Sequence, residues 1–210
     1  GLVMGLDNWF YGANGHSNGV VKSAKTGKTV DIRNRDFRIR PETGEIETVS
    51  GPTQYGRSRD DWDNWFGNDN SHPFYQFALE EHYLQRNPYV TPPAGRMEVP
   101  DMPGPSQVFP ISRTLTRFND FAMANHFTSA NSAIIYRDDL FGPGFSNSFF
   151  VSEPVHNLVS RQVLRTEGTR FHSSRAPDEQ DREFLASSDN WFRPTMLKVG
   201  PDGALWIADM

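Results

Sequence analysis

Histidines accompanied by carboxylates and amides are the residues of this sequence best suited to chemistry. Glu153-Pro154-Val155-His156-Asn157 places a carboxylate, an imidazole and an amide together, directly after an apolar segment. A histidine beside a carboxylate is a common pair for proton transfer. We therefore predict Glu153 and His156 as catalytic residues. His126, which precedes another apolar segment, is a further catalytic candidate.

Polar residues also recur at one place in a repeated frame, six residues after the second residue of a turn. They are Asn14, Asn70, Glu153 and Asp209, with His16 and His72 close behind the first two. Oxygen-rich groups suit Ca²⁺ or a polyol. We predict Glu153 and Asp209 as metal ligands. The predicted substrate-binding residues are Asn14, His16, Asn70 and His72. Turn formation alone also explains the Asn and Asp residues, because both favour turns at strand ends.

The repeated frame is a turn followed by a strand, and it positions these residues. Its markers are Asn8, Asn64, Asn147 and Gly203, at intervals of 56, 83 and 56 residues. The longest interval contains a Pro-rich insertion at about residues 85–110, without which the period returns. Repeats of this length with about four strands each are typical of propeller blades. We predict an all-β partial β-propeller of about three and a half blades, one domain over residues 1–210, and an interior fragment of a longer protein.

Local signals also favour many short strands. Pro41-Glu42-Thr43-Gly44 separates two alternating segments and predicts a hairpin, and Arg165–Gly168 predicts a second hairpin turn. The helix signal is limited to Phe77–Gln85. Trp9, Trp65, Trp191 and Trp206 are expected in the core between blades, with stacking on a sugar as the alternative.

Composition excludes several classes of protein. The net charge is −5, from 21 basic and 26 acidic residues, and no Lys/Arg block is present, so no nucleic-acid partner is expected. No apolar run approaches the roughly 20 residues of a membrane span. The chain has no cysteine, which excludes disulfides, thiolate metal sites and c-type haem attachment within it.

Six segments carry a family resemblance: residues 5–15, 60–67, 110–114, 153–159, 184–194 and 200–210. In these segments the chain resembles the membrane-bound dehydrogenase domain of PVC-type (haem-binding) bacterial proteins. The resemblance spans nearly the whole chain. It implies a six-bladed propeller similar to soluble quinoprotein glucose and sorbosone dehydrogenases, with a c-type haem domain outside this fragment.

This resemblance also implies an activity, a cofactor and a location. The expected reaction is oxidation of a sugar or alcohol with pyrroloquinoline quinone (PQQ) and Ca²⁺, and the electrons would pass to the c-type cytochrome domain of the same protein. The expected location is periplasmic or extracytoplasmic, in association with a membrane. PQQ carries three carboxylates, which arginines would bind. The predicted cofactor-binding residues are Arg113, Arg117, Arg193 and Asn157, although ordinary ion pairs also explain the arginines.

Two other functions fit the same residues. A non-catalytic propeller that binds polysaccharide or a protein partner predicts a shallow face with exposed aromatics. A Ca²⁺-dependent, lactonase-like hydrolase predicts a metal and a histidine–carboxylate pair without arginines for a quinone. A dehydrogenase predicts histidine, carboxylate and arginine together in one pocket.

Overall fold

The computed structural model describes residues 1–92, 95–113 and 124–210. These residues form two compact units. Unit 1 comprises Gly1–Gly67 and Tyr75–Met97, and unit 2 comprises Asn68–Phe74 and Glu98–Met210. Antiparallel strands dominate both units, because short apolar segments alternate with turn residues along the chain.

Unit 1 contains strands from two sheets. Its elements are β1 (Leu2–Met4), β2 (Phe10–Gly12), β3 (Val20–Lys22), β4 (Thr29–Asp31), β5 (Asp36–Arg40), β6 (Glu45–Val49), β7 (Arg57–Arg59), β8 (Trp65–Gly67), β9 (Tyr75–Phe77) and α1 (Glu81–Leu84). The first sheet has the order β1-β2-β5-β6, and β3 with β4 forms a separate hairpin. The second sheet contains β7, β8 and β9, and β10 (Met97–Glu98) extends it beside β9. The predicted Pro-rich insertion thus contributes one short strand.

Unit 2 contains the third sheet and a further hairpin. Its strands are β11 (Asn131–Ile135), β12 (Ser148–Glu153), β13 (Leu158–Glu167), β14 (Arg170–Arg175), β15 (Leu185–Ala186), β16 (Pro194–Val199) and β17 (Leu205–Asp209). The sheet order is β11-β12-β13-β14, β15 pairs with β13, and β16 pairs with β17. Tyr136, Phe150, Val159 and Leu197 form the buried core, which Phe184 and other partly buried residues cover.

The predicted fold class is confirmed. Each of the three sheets has four main strands that are neighbours in the order of the chain. The exception is the β3–β4 hairpin, which is inserted between the second and third strands of the first sheet. The hairpin of β16 and β17 corresponds to the first two strands of a further sheet. Three blades and half of a fourth therefore account for the main strands of the described residues. Within those same residues, no helix is both long and apolar enough to cross a membrane.

The repeat markers lie in turns that require left-handed backbone. Asn8, Asn147 and Gly203 have φ of 63°, 61° and 78°. In the second repeat the residue with positive φ is Asp63 (φ 64°), one position before the predicted marker Asn64. Asn, Asp and Gly adopt this conformation at the least cost. The markers therefore identify real turns, and β2, β8, β12 and β17 begin one or two residues after them.

Two local predictions need correction. The first hairpin is confirmed, with Gly44 at φ 76° between β5 and β6. The second hairpin has its turn at Gly168–Thr169, because β13 continues to Glu167 and pairs it with Arg170. The predicted helical segment 77–85 is helical only in α1, and Phe77 belongs to β9.

An ion pair lies inside the aromatic core of unit 1. Arg57 Nη1 is 2.9 Å from Asp36 Oδ2, and neither side chain is exposed to solvent. The guanidinium carbon lies 4.4 Å from the Phe77 ring centre and 5.1 Å from that of Trp65. These ring faces replace water around the cation. Thr53 donates two further hydrogen bonds to the Asp36 carboxylate, so the pair ties β5 to the segment that leads into β7.

The tryptophans divide into two groups. Trp9 and Trp65 are buried in the unit 1 core, as predicted. The same prediction is wrong for Trp191 and Trp206, which are 85% and 60% exposed. An aromatic residue in a turn or near a strand end has fewer neighbours to cover it, and its identity alone does not reveal this.

Candidate functional site

Glu153 ends β12 and organises a neighbouring segment of the chain. Its carboxylate is fully buried and accepts backbone hydrogen bonds from Thr128 (3.2 Å), Ser129 (2.8 Å) and Val155 (3.2 Å). Three N–H donors replace the water that burial removes from the carboxylate. This predicted catalytic and metal residue therefore has oxygens already engaged in holding residues 128–129 against the end of β12.

His156 lies in the β12–β13 loop and is also used internally. Its Nε2 accepts the backbone N–H of Asn125 at 3.1 Å, so the ring proton of the neutral side chain is on Nδ1. Nδ1 lies 3.5 Å from Glu153 Oε1, and the residue is only 5% exposed. Because Asn125 occupies the free lone pair, the geometry argues against the predicted role of His156 as a base.

His126 lies in the segment that Glu153 and His156 hold. Its Nδ1 is 3.0 Å from the carbonyl oxygen of Ala124, to which it donates a hydrogen bond. Its backbone forms an antiparallel bridge with Gln107. The side chain is half-buried. The structure thus places all three predicted catalytic residues together, and each of them makes a hydrogen bond to the backbone.

The predicted cofactor-binding residues meet on the other side of the same loop. Asn157 is fully buried, with φ 59°, and its Nδ2 donates to the carbonyl of Phe192 at 2.6 Å. Asn190 Nδ2 donates to Asn157 Oδ1 (3.2 Å) and to the carbonyl of Arg113 (3.0 Å). Asn157 and the backbone of Arg113 are thus joined through Asn190, a residue that the sequence analysis did not select.

Arg193 and Asp209 complete this side of the loop. Arg193 Nε donates to the carbonyl of Asn190 at 3.2 Å. Its backbone N–H donates to Asp209 Oδ1 at 2.6 Å, which links β16 to the end of β17. The predicted cofactor residue Arg117 lies outside the described residues.

A second carboxylate and histidine pair occupies the β8–β9 loop. Asp69 Oδ1 lies 2.7 Å from His72 Nδ1, and Glu98 Oε1 lies 3.5 Å from His72 Nε2. The His72 side chain is 30% exposed, far more than that of His156. The pKa of Asp69 is lowered below its usual value. Burial alone would raise it, but this effect is outweighed by the hydrogen bond and charge of His72 and by the backbone N–H groups of His72 and Ser71. Asp69 therefore stays ionised and orients the imidazole.

Residues 128–130 connect the two loops within unit 2. Asn68 Nδ2 donates to the Ala130 carbonyl at 3.0 Å, and the Ala130 N–H donates to the Asn70 carbonyl at 2.9 Å. Residues 128–129 meanwhile donate to Glu153. We call residues 68–72, 124–130 and 153–157 the loop cluster. It contains carboxylate-x-x-His twice, as Asp69 to His72 and as Glu153 to His156, and each copy follows the second strand of its own blade.

The corresponding loop of unit 1 has a structural role. Asn14 is buried, and its Nδ2 donates to the carbonyls of Ile32 (2.5 Å) and Arg35 (3.0 Å). Its backbone N–H donates to Asp36. His16 has φ 57° and is exposed. The two predicted substrate-binding residues of unit 1 therefore differ, since Asn14 fixes a turn and His16 faces solvent.

Several of the residues predicted to hold PQQ and Ca²⁺ already make contacts within the protein. The described residues contain no group of three or more His, Cys, Asp or Glu side chains placed to hold a metal ion. Glu153 accepts hydrogen bonds from three backbone N–H groups, and the Arg193 Nε donates to a backbone carbonyl.

A separate cleft of about 640 Å³ in unit 1 contains a polar cluster. Arg38 Nη1 donates to Asp7 Oδ2 (3.0 Å) and to the Tyr11 hydroxyl (3.1 Å), and Tyr11 donates to Asp7 Oδ2 (3.0 Å). The pKa of Tyr11 is raised from its usual 10 to about 12. Burial is the main cause and Asp7 adds to it, whereas the hydrogen bond and charge of Arg38 offset part of the increase. The neutral phenol is thus the form that the folded state favours.

Tyr11 is therefore expected to make unit 1 sensitive to alkali. A folded-state pKa above the usual value of 10 gives a stabilisation that is complete below pH 10 and disappears as the pH rises towards 12. The free energy of unfolding should fall by about 2–3 kcal/mol over this pH range. Urea denaturation between pH 8 and 12 should show this loss in the wild type and in Tyr83→Phe, an exposed control, and much less of it in Tyr11→Phe. Parallel curves for wild type and Tyr11→Phe would contradict the assignment.

Sequence reasoning missed Asp69 and Glu98. Asp69 had a usable signal, since it stands three residues before His72, the spacing already noted for Glu153 and His156. Glu98 had no such signal, because it is 26 positions from His72 in the sequence. The two side chains approach each other only in the folded unit 2.

The fold and the loop cluster define the class of protein. Antiparallel four-stranded sheets that follow one another along the chain are the blades of a β-propeller. The chain belongs to the family "Domain of unknown function (DUF7133)", whose sequence profile matches residues 1–210.

A solved structure from Thermus thermophilus, assigned as an oxidoreductase (glucose dehydrogenase), has a similar fold. The TM-score is 0.50 at 15% sequence identity, and the match covers 98% of this chain and 57% of that chain. The present chain thus spans little more than half the length of that protein, and the likeness concerns the fold alone. No curated protein sequence matches the chain.

Proposed function

We propose that this chain is part of a dehydrogenase-type propeller that oxidises a sugar or an alcohol, with His72 as the base. The observation that carries the proposal is the 2.7 Å contact between Asp69 Oδ1 and His72 Nδ1 beside a partly exposed imidazole. The neighbouring pair, Glu153 and His156, lacks this exposure and has its Nε2 occupied. His72 is thus the better placed histidine of the loop cluster.

The tautomer of His72 follows from its neighbours. Ionised Asp69 accepts the Nδ1 proton, which leaves the lone pair on Nε2. Glu98 lies 3.5 Å from this Nε2 and would stabilise the imidazolium once Nε2 gains a proton. A base needs this arrangement, in which one group fixes the ring and the opposite nitrogen faces the substrate.

The proposed reaction takes two hydrogens from the substrate. The hydroxyl proton moves to His72 Nε2 while the carbinol C–H leaves as hydride to a two-electron acceptor, and the C–O bond becomes C=O. Removing the proton lowers the barrier to hydride departure, because the developing carbonyl does not have to carry positive charge. A quinone is the class of acceptor that the family resemblance implies, and this chain's residues contribute the base and its orientation.

The remaining parts of the proposal come from that resemblance. A c-type cytochrome domain of the same protein would receive the electrons, and the protein would act in the periplasm or outside the cytoplasm, in association with a membrane.

Binding of polysaccharide without catalysis is the second candidate function. The exposed Trp191 favours it, since this ring follows Asn190, which joins Asn157 and the Arg113 backbone beside the loop cluster. Exposed indole rings stack on sugar rings. Retention on an insoluble glycan without any turnover would favour this candidate.

Dye reduction by the full-length protein tests the leading proposal. Purified protein would be supplied with PQQ and Ca²⁺ and assayed with D-glucose, L-sorbosone, ethanol and glycerol. We expect reduction that requires both substrate and quinone, and a rate that rises with pH as a base loses its proton. The absence of dye reduction with all four substrates would overturn the proposal, and omission of quinone or of substrate provides the controls.

A further inference from the structure

Unit 2 contains a cleft at the outermost strand of the third blade. It has a volume of about 230 Å³ and lies between β14 and residues 100–109. The backbone of this segment pairs with β14, since the Asp101 N–H donates to the Ser173 carbonyl and the Ser173 N–H donates to the Val99 carbonyl. We call it the outer cleft. Its lining includes Pro100, Met102, Phe109, Gln162, Ser173 and Gln180.

A buried amide faces this cleft. Gln162 is 5% exposed and Ser173 is 1% exposed, and the Ser173 hydroxyl lies 2.7 Å from Gln162 Oε1. Gln162 also lines the cleft, so its amide group borders the space that a ligand would occupy. The amide NH₂ group can donate hydrogen bonds, and a ligand oxygen in the cleft would accept them.

Charge within the cleft is balanced by the protein itself. Arg175 Nη2 lies 2.6 Å from Glu183 Oε1, and Arg165 Nη2 lies 2.7 Å from Asp101 Oδ2. Each charged group at the wall therefore has its partner. The polar groups that remain are amides and hydroxyls, which favour a neutral ligand with several hydroxyl groups.

One wall of the cleft is apolar. Phe109 lies under the Arg175 guanidinium, with 4.7 Å from its carbon to the ring centre, and Pro100 and Met102 lie on the same segment. An apolar surface opposite amides and hydroxyls matches the two faces of a sugar ring, which carries C–H groups on one side and hydroxyls around its rim.

We propose that the outer cleft binds one neutral hexose unit. Its volume is below that of sites for larger organic ligands, so it suits a single ring. The Gln162 amide would donate to a ring hydroxyl, and Ser173 and Ser174 would exchange hydrogen bonds with its neighbours. The cleft uses no side chain of the loop cluster, so this site does not depend on the proposed reaction.

Nuclear magnetic resonance of the full chain tests this site directly. The probes are D-glucose, D-galactose and D-mannose, with glycerol and sodium sulfate as a small polyol and an anion. We expect at least one hexose to bind with a Kd on the order of 1–10 mM, since a ligand of about twelve heavy atoms rarely binds more tightly. The Gln162 side-chain NH₂ signals should shift during the titration.

Substitution of the amide provides the second arm. Gln162→Leu should weaken hexose binding about five- to tenfold, because one neutral hydrogen bond is lost. Gln85→Leu, the same change at an exposed position of unit 1, should leave the Kd within twofold. If Gln162→Leu does not fold, the NH₂ shifts of the wild type still decide. The proposal is overturned by no hexose binding, by binding that does not move the Gln162 signals, or by a preference for sulfate.

Discussion

Replacement of His72 with alanine is expected to lower kcat/KM for the oxidised substrate by about 10²–10⁴-fold, the range typical of a lost general base. The expectation follows from the 2.7 Å contact with Asp69 and from the exposure of the imidazole. Dye reduction with quinone and substrate measures the effect. His16→Ala, an exposed histidine in the corresponding loop of the first blade, should retain activity within about twofold.

Asp69→Asn separates a base from a merely structural histidine. The asparagine amide could donate to His72 Nδ1, which would move the ring proton to Nε2 and remove the base without removing the imidazole. We expect a loss of about 10²-fold or more in kcat with a changed pH profile and a largely unchanged melting temperature. Full activity in both His72→Ala and Asp69→Asn would rule out His72 as the base, even if the protein does oxidise sugars.

Arg57→Ala is expected to destabilise unit 1 by about 3–5 kcal/mol, because the change leaves the Asp36 carboxylate buried without its cation. Both side chains are completely shielded from solvent. Arg57 Nη1 also donates to the Ser50 carbonyl at 2.5 Å, so that hydrogen bond is lost as well. Urea denaturation monitored by tryptophan fluorescence should report the loss, since Trp65 stacks on the guanidinium.

A double variant distinguishes the ion pair from simple loss of packing. Asp36→Asn combined with Arg57→Met removes both charges and keeps most of the volume, so it should recover a large part of the lost stability. Arg40→Ala, a half-exposed arginine of β5 paired with Glu45, should cost less than about 1 kcal/mol. Additive losses in the double variant, or a loss below about 1 kcal/mol for Arg57→Ala, would contradict this account.

Much of the fold could be predicted because its signals are local. Asn8, Asn147 and Gly203 occupy turns with positive φ, which few other residue types tolerate. The spacing of these turn residues therefore indicates the period of the blades. The β13–β14 turn was misplaced for a physical reason. Arg165 and Glu167 look like loop residues, yet each has a cross-strand partner in β14, and exposed strands accept charged side chains readily.

The candidate site could be predicted only in part. His156 and Glu153 are three residues apart in sequence, so their proximity was evident, whereas the N–H of Asn125 that occupies the His156 lone pair is 31 residues away. Arg113, Arg193 and Asn157 were predicted to bind a cofactor, and the structure shows Asn157 and Arg193 bonded to backbone carbonyls.

By itself, the sequence determined the all-β class, the blade period and the position of polar residues after the second strand of each blade, because turn chemistry and hydrophobic alternation act over a few neighbouring residues. Only the tertiary structure decided which of those polar residues are exposed and have atoms that could contact a substrate. Backbone N–H groups of residues 125, 128 and 129 donate to His156 and Glu153, while His72 stays partly exposed beside Asp69 and Glu98. Exposure and hydrogen-bond saturation depend on segments distant in sequence, which pack together only in the folded chain.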